Sequence, residues 1–152
     1  MPDELDLRLI RELEEGGLRT QAELGRRLGA SEATIRRREH RLQEKRALKI
    51  CGIPNLNALG YDLVACLGLS VDFEHRPAIL SSLTDEADVR YVASCTGRYE
   101  LLVCVACRSR QELSVFMEKL TSTPGVLHIE TFVNLSVYKN RPWLIDNPPV
   151  QP

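Results

Sequence analysis

One basic, amphipathic segment at residues 31–49 constrains this chain more than any other part of its sequence. The segment SEATIRRREHRLQEKRALK holds seven Arg or Lys and three Glu, although the whole chain has a net charge of -1. Ser31 is a typical helix N-cap, and Glu32 lies where the positive end of a helix favours an acid. Three residues at helical spacing predict an inward stripe: Ile35, Arg38 and Leu42. A helix of this charge is typical of proteins that contact a phosphate backbone.

Two shorter helical patterns precede this segment. Apolar residues recur with a helical period over Asp3–Glu15, and a glycine pair follows. In Thr20–Leu28, Thr20 is a predicted cap and Glu23 completes a capping box. A glycine-containing turn then leads into the basic helix. This order is typical of a helix-turn-helix, whose last helix enters the major groove of DNA with its first residues at the base edges.

Candidate DNA contacts are the residues of the basic helix that lie outside the inward stripe. Arginine can bind phosphate oxygens or, bidentately, guanine. The alternative interpretation is a solvated surface helix laced by its own salt bridges. The predicted contacts are Ser31, Glu32, Thr34, Arg36, Arg37 and Arg41.

Length and composition predict a soluble, cytoplasmic protein of one medium or two small domains. The chain has 152 residues, of which 43% are apolar, as in globular proteins. No run is long enough to span a membrane, and the acidic start MPDELD lacks the features of a signal peptide. Residues 1–50 hold 12 Lys or Arg and 10 Asp or Glu, whereas the remainder holds 8 and 11. The positive charge therefore lies with the predicted helix-turn-helix.

Metal binding and catalysis find little support in the sequence. The five cysteines, at positions 51, 66, 95, 104 and 107, have no disulfide-framework spacing, which agrees with a reducing compartment. Cys104 and Cys107 form a CxxC within a predicted strand, so their side chains point to opposite faces and cannot bind one metal ion. No phosphate-binding glycine loop, GxSxG or HExxH motif is present. We expect no catalytic residue, cofactor or metal, and a surface or packing role for His40, His75 and His128.

The second half alternates strands and helices in the order βαββαβ. A hairpin is predicted across Gly97-Arg98, between the second and third strands. The order predicts a ferredoxin-like sheet with two helices on one face, and hence an α+β protein. The predicted strands are Leu63–Phe73, Val89–Thr96, Tyr99–Cys107 and Val126–Tyr138, and the helices are His75–Ala87 and Ser109–Thr123.

These patterns divide the chain into four parts: a helix-turn-helix domain at 1–50, a linker strand and loop at 51–60, a βαββαβ domain at 61–139 and a tail at 140–152. Between the two halves, Ala47–Ile53 is predicted to be a strand and Pro54–Gly60 the linker loop. The tail contains Trp143 among several prolines and is predicted to be extended.

One face of the predicted sheet indicates a homodimer. A solvent-exposed face of a sheet would carry charged residues, but the residues on this face are small and uncharged. A second copy packed against it explains the composition, and two copies would also pair their DNA-reading helices on a two-fold symmetric site. The residues of this face are Val64, Cys66, Gly68 and Ser70 in the first strand and Leu102, Cys104 and Ala106 in the third.

Taken in order, these motifs resemble the Lrp/AsnC (feast/famine) family of transcriptional regulators, from about Leu5 to Lys139. Two positions depart from the family pattern: its usual Gly-Arg is Gly17-Leu18-Arg19 here, and its Asp after the hairpin tyrosine is Glu100. The matching stretches are Leu5-Asp6 with Ile10 and Leu13, Ala22-Glu23-Leu24, Leu28-Gly29-Ala30-Ser31, Arg38 with Arg41-Leu42, Leu59-Gly60-Tyr61, Gly97-Arg98-Tyr99-Glu100 and Pro124-Gly125-Val126.

The resemblance implies a regulator that binds double-stranded promoter DNA and responds to an amino acid or a related small molecule. It implies a homodimer, with tetramers or octamers left open. In the family the effector lies near the hairpin, where Arg98 can bind a carboxylate and Glu100 an ammonium group. A merely polar turn is the alternative. The residues so implicated are Thr96, Gly97, Arg98, Tyr99 and Glu100, with Asn134 and Ser136 on the last strand.

Two other functions are compatible with this architecture. Haem-pathway decarboxylases resemble the family in fold but carry histidine and arginine in the hairpin strands, whereas Val89–Cys107 contains no histidine here. A metabolite sensor without DNA binding is the second alternative, and the basic helix argues against it. The sequence therefore favours a DNA-binding regulator over an enzyme.

Overall fold

The computed structural model describes residues 1–16 and 19–139, which form two compact units. The described part of the first unit lies within Met1–Gly52, and that of the second begins at Ile53. The predicted tail, with Trp143, lies outside the described residues. Among the residues described, no helix has the length and apolar character needed to cross a membrane.

Three helices form the first unit, as predicted: α1 (Glu4–Gly16), α2 (Gln21–Leu28) and α3 (Glu32–Glu44). The predicted capping box at the start of α2 is confirmed, because Thr20 and Glu23 each accept a hydrogen bond from the other's backbone amide. The helices enclose a small apolar core of Leu9, Leu24, Leu28, Ile35 and Leu42.

Two glycines shape the connection between α2 and α3. Gly29 ends α2 in the left-handed conformation, with φ of 68°. Gly25 lies against the turn so closely that a Cβ atom there would be 2.6 Å from the carbonyl oxygen of Ala30. Ser31 then caps α3 by accepting a hydrogen bond from the amide of Thr34 at 3.2 Å. The turn is therefore tight because a side chain is absent at residue 25.

The chain after α3 differs from the prediction. The basic helix ends at Glu44 instead of continuing to Lys49, and the strand predicted at Ala47–Ile53 is wrong. The amides of Ala47 and Leu48 donate to the carbonyl oxygen of Leu42, at 2.8 and 3.2 Å. Leu48 packs against the helical core. A strand needs a neighbouring strand for its backbone groups, and here the end of α3 accepts those amides instead.

The second unit is the predicted ferredoxin-like βαββαβ fold. A short 3-10 turn, Asn57–Leu59, precedes its sheet. The four strands follow the order β2-β3-β1-β4, and each neighbouring pair is antiparallel. The elements are β1 (Leu63–Val71), α4 (Arg76–Asp85), β2 (Val89–Ser94), β3 (Leu101–Cys107), α5 (Arg110–Thr121) and β4 (Val126–Val133).

Alternation along the two central strands separates a helix-covered face from an open face. The helix-covered face holds the core, to which α4 contributes Ile79 and Leu83 and α5 contributes Leu120. Cys107 is buried in this core, while Cys104 lies on the other face beside Cys66, as its strand position predicts. The core residues of the two strands are Ala65, Leu67, Leu69, Val71, Leu101, Val103, Val105 and Cys107.

The hairpin predicted across Gly97-Arg98 is confirmed, because the consecutive strands β2 and β3 pair antiparallel, but its two-residue turn is wrong. The strands β2 and β3 are joined by the longer loop 95–100, because Ser94 ends one strand and Leu101 begins the other. Within this loop the amide of Glu100 donates to the carbonyl of Leu69 in β1, at 3.0 Å. The loop is thus bonded to the central strand and does not close as a tight turn. The first and last strands are also shorter than predicted, and end at Val71 and Val133.

Candidate functional site

The helix α3 has one buried and one basic, exposed face. Ile35 and Leu42 are buried in the core of the first unit. Arg36 and Arg37 are exposed on the opposite side, and neither forms an ion pair or hydrogen bond with another residue in the described part of the chain. Two unpaired guanidinium groups at consecutive positions of a helix are available to an external anion.

The N-terminus of α3 carries three further predicted contacts. Ser31 and Glu32 are exposed, and Thr34 is half-buried. The hydroxyls of Ser31 and Thr34 lie 2.9 Å apart, so both belong to the cap of the helix. The exposed carboxylate of Glu32 stands at the helix end that would meet base edges.

The remaining predicted contact, Arg41, faces a buried carboxylate. Asp6 is 1% exposed, and it accepts from Arg41 at 2.5 Å and from Arg38 at 2.7 Å. Burial raises the pKa of Asp6, but the hydrogen bond from Arg38 opposes this, and the net pKa lies below the ordinary value. Arg38 also pairs with Asp3 at 2.6 Å. Sequence reasoning placed Arg38 inward correctly but missed that Asp6 holds both arginines against α1.

In the second unit, the loop 95–100 lays an aromatic ring across the open face of the sheet. Tyr99 covers Gly68, where a Cβ atom would lie only 2.5 Å from the ring. The ring also stacks with His128 of β4, with centroids 6.4 Å apart and planes 16° from parallel. The guanidinium carbon of Arg98 lies 5.6 Å from the centroid of the same ring. The loop therefore adds a polar, aromatic cluster to a face that was expected to be small and uncharged.

The charges of this cluster are only partly paired. Arg98 is 77% exposed, and its guanidinium lies 3.8 Å from the carboxylate of Glu130 in β4. One carboxylate oxygen of Glu100 accepts from the amide of Val71 at 3.1 Å. Thr96 and Gly97 are exposed. The loop thus presents an accessible cation and, beside it, a carboxylate held in place by the backbone of β1.

The two candidates after the last strand lie away from this loop within one chain. The amide of Asn134 donates to the carbonyl of Val64 at 3.0 Å, whereas the loop is bonded at Leu69. These two positions of β1 are about 16 Å apart along an extended strand. Ser136 is exposed beyond Asn134. A single chain therefore does not bring Asn134 and Ser136 to the loop.

Strand register brings together residues that sequence reasoning did not connect. Gly68 pairs with Glu130 and Ser70 with His128, which places both β4 residues beside Tyr99. Cys66 pairs with Cys104, and their sulfur atoms lie 2.8 Å apart. Burial and the neighbouring thiol raise the pKa of Cys104 to about 12. Only an alignment of the strands, which a single sequence does not provide, could have revealed these pairs.

A helix-turn-helix with an unpaired basic face, together with a ferredoxin-like unit bearing a polar loop, defines a DNA-binding regulator with a ligand-binding domain. Comparison with known proteins agrees. Residues 3–43 match the AsnC-type helix-turn-helix domain, and residues 64–144 match the Lrp/AsnC ligand binding domain. The chain belongs to the Lrp/AsnC family of transcriptional regulators, as its motifs predicted.

Individual relatives match over nearly their whole length. The HTH-type transcriptional regulator FL11 of Pyrococcus abyssi is 30% identical over 138 residues, covering 90% of this chain and 91% of that protein. The structure of E. coli AsnC is 25% identical with a TM-score of 0.84, covering 94% of this chain and 98% of that one. The regulator NMB0573 of Neisseria meningitidis shares the fold, at 21% identity and a TM-score of 0.88, covering 95% and 97% of the two chains.

Proposed function

We propose that this regulator binds promoter DNA through α3, and that an amino acid bound at the loop 95–100 modulates that binding. The observation that supports DNA contact most directly is the pair Arg36 and Arg37, exposed and unpaired on the face opposite the core. Ser31, Glu32 and Thr34 contribute at the N-terminal end of the helix. Arg41 contributes less, because Asp6 already binds it.

The DNA-binding proposal is tested with a duplex selected from a random pool by the wild-type protein. Fluorescence anisotropy then compares the wild type with the Arg36→Ala/Arg37→Ala variant. We expect at least a tenfold loss of affinity, with a shallower salt dependence for phosphate contacts or relaxed preference at one position for a guanine contact. Arg8→Ala/Arg11→Ala removes the same charge from exposed positions of α1 and is the matched control. Equal affinities for wild type and the α3 variant would overturn the assignment.

The effector proposal follows from the opposite charges of the loop. Arg98 can bind a carboxylate bidentately, and the free oxygen of Glu100 can accept from an ammonium group. An amino acid carries both groups. The related structure of NMB0573 was determined as a complex with L-Met, which makes an amino acid a reasonable class of ligand. Asn134 and Ser136 would join such a site only from another subunit.

A thermal-shift screen of the twenty amino acids tests this effector class, because a ligand that binds only the folded state raises the melting temperature. Calorimetry with the best ligand follows. We expect Arg98→Ala to weaken binding by about 1.5–3 kcal/mol, as for a hydrogen bond between charged groups. Arg110→Ala, an exposed arginine of α5, is the control. Unchanged affinity for Arg98→Ala and Glu100→Ala alike would place the effector elsewhere.

We also propose that two copies associate through the open face of the sheet. Leu102 is 39% exposed on this face, and Phe132 of β4 is 50% exposed on the same side. Small residues line the centre between them, which lets a second sheet approach closely. Association would join two copies of α3 in one assembly.

A further inference from the structure

A second cationic cluster lies outside both sites described above. It is built on Tyr61, a half-buried residue two positions before β1. The guanidinium carbon of Arg108 lies 4.9 Å from the centroid of the Tyr61 ring, and that of Arg90 lies 5.6 Å from the same centroid. The guanidinium of Arg108 also donates weakly to the Tyr61 hydroxyl, at 3.5 Å. Two arginines thus contact one ring: Arg90 of β2 and Arg108, which directly follows β3.

Both arginines are exposed, and within the described part of the chain neither guanidinium lies within salt-bridge distance of a carboxylate. The acids near this end of the sheet are Asp62, Asp88 and Glu112. One oxygen of Glu112 accepts from the backbone amide of Arg108 at 2.8 Å. Asp88 and Glu112 both raise the pKa of the buried Cys107 thiol, after the larger effect of burial. Within the described residues no carboxylate therefore pairs with the guanidinium of Arg90 or Arg108, and both cations remain available to an external anion.

Stacking on an aromatic ring makes such arginines effective ligands for phosphate. The ring restricts the long side chains, so less conformational freedom is lost when they bind an anion. A guanidinium offers parallel N–H donors that match two oxygens of a phosphate group. Two guanidiniums at one ring fit a partner with successive phosphates better than a single carboxylate. A DNA strand is such a partner.

We propose that Arg90 and Arg108, held by Tyr61, bind phosphates of the DNA backbone. The second unit would then add affinity for DNA that does not depend on base sequence. This inference rests on the proposed function, since it requires a protein that binds DNA, but it concerns different residues in a different unit. It predicts that DNA affinity has two separable parts: α3 supplies base preference and the Tyr61 cluster supplies only electrostatic attraction.

The test measures affinity against salt concentration for wild type and Arg90→Gln/Arg108→Gln, on the selected duplex and on an unrelated one. The slope of log affinity against log salt should become shallower by about 0.9 per lost phosphate contact, or about 1.8 for the pair. Affinity should fall by the same factor on both duplexes. Arg76→Gln/Lys119→Gln removes two charges from the same unit away from Tyr61, and should leave the slope unchanged. If the double variant does not fold, each single variant should lower the slope by about 0.9.

A conservative pair of variants separates the ring from its hydroxyl. Tyr61→Phe should keep the wild-type slope, because the ring is retained, whereas Tyr61→Leu should show part of the arginine effect. The same arginines could bind a free phosphate ligand instead of DNA. Thermal shifts with inorganic phosphate and pyrophosphate, at constant ionic strength, test this alternative. A shift abolished in Arg90→Gln/Arg108→Gln, together with an unchanged DNA slope, would overturn the DNA proposal in favour of a free phosphate ligand.

The outcomes also separate this inference from the proposed function. An unchanged slope in Arg90→Gln/Arg108→Gln, with binding lost in Arg36→Ala/Arg37→Ala, overturns only the role of the Tyr61 cluster. A wild-type protein that selects no duplex overturns the DNA-binding proposal itself. A slope change confined to the selected duplex would also contradict the inference, because phosphate contacts carry no base preference.

Discussion

The ring of Tyr99 lies directly on Gly68, and no other residue type leaves room for it. A Cβ atom at position 68 would be 2.5, 2.7 and 2.8 Å from three ring atoms. The loop that carries Tyr99 is bonded to β1 just beyond this contact, where Glu100 bonds to Leu69 and to Val71. The central strand therefore determines where the candidate effector loop lies.

The first prediction is that Gly68→Ala displaces Tyr99. The added methyl overpacks the contact, which typically destabilises a protein by about 1–3 kcal/mol. Because Arg98 and Glu100 flank the displaced ring, effector affinity should fall together with stability. Chemical denaturation and calorimetry measure the two effects.

Two controls accompany Gly68→Ala: the same change at a glycine with open space around it, and a second substitution that removes the clash. Gly52→Ala adds a methyl where nothing lies within 4 Å, so it should leave both quantities near wild type. Adding Tyr99→Ala to Gly68→Ala should remove the clash, so that the double variant is destabilised by less than the sum of the single variants. Strict additivity would contradict a direct contact between the two residues.

A second prediction concerns the buried carboxylate of Asp6. Asp6→Asn should destabilise the first unit by about 2–4 kcal/mol, because Arg38 and Arg41 lose their shared charged partner. Arg38 keeps Asp3, which limits the effect. The matched control is Glu14→Gln, an exposed acid of the same helix. Denaturation midpoints that coincide for Asp6→Asn and Glu14→Gln would show that the pair contributes nothing.

The cluster of Asp3, Asp6 and Arg38 also predicts how the stability of the folded state depends on pH in the acidic range. The hydrogen bond from Arg38 is the main cause that lowers the pKa of Asp3, and Asp6 also has a lowered pKa. The folded state therefore holds these carboxylates charged at pH values where the unfolded chain begins to bind protons. The stabilisation is fully present well above the ordinary value of 3.8 and is lost as the pH falls through the lowered values. Thermal melts across this range should fall more steeply for wild type than for Asp6→Asn.

The structure also suggests a cleaner test of association than a change at Gly68, which would disturb Tyr99 as well. Leu102→Arg should place an unpaired charge within the proposed interface and favour the monomer. Val115→Arg makes the same change at an exposed position of the helix α5, 56% exposed, and should leave association unchanged. Analytical ultracentrifugation at several concentrations measures both. If the wild type sediments as a monomer at micromolar concentration, the proposed association through the open face is wrong.

Local features of the fold were predictable, because they depend on residues a few positions apart. The helix caps at Thr20 and Ser31 are predicted by the residue at each position and by the three residues that follow it. The strand predicted after α3 is wrong because the β-propensity of a segment does not show whether a neighbouring strand is present to pair with it. The loop 95–100 differs from the predicted tight turn because Tyr99 is placed by Gly68, which lies far earlier in the chain.

In the candidate sites too, features that depend on local spacing were predictable, whereas contacts between distant residues were not. Exposure of Arg36 and Arg37 followed from helical spacing. The pairing of Arg41 with Asp6 joins residues 35 positions apart, and the contact of Cys66 with Cys104 spans 38. Such contacts need the register of elements that a single sequence does not give.

The last two predictions follow from that cysteine pair. Burial, and next the neighbouring Cys66 thiol, raise the pKa of Cys104 from 9.0 to about 12. Since the thiolate is the reactive form, alkylation of Cys104 near pH 8 should be slowed by about a thousandfold relative to an ordinary thiol. Cys51 is exposed and should be labelled first. Mass spectrometry of iodoacetamide-treated protein, with urea-unfolded protein as the reference, measures the order of labelling.

The same shift predicts a loss of stability in alkali. The folded state keeps the proton of Cys104 where the unfolded chain releases it, so the contribution is constant below pH 9.0 and falls as the pH rises toward about 12. Cys104→Ala lacks this group and should lose less stability over that range than wild type does. Chemical denaturation at a series of pH values compares the two proteins. Equal alkaline slopes, or labelling of Cys104 as fast as that of Cys51, would show that the thiol is neither buried nor paired.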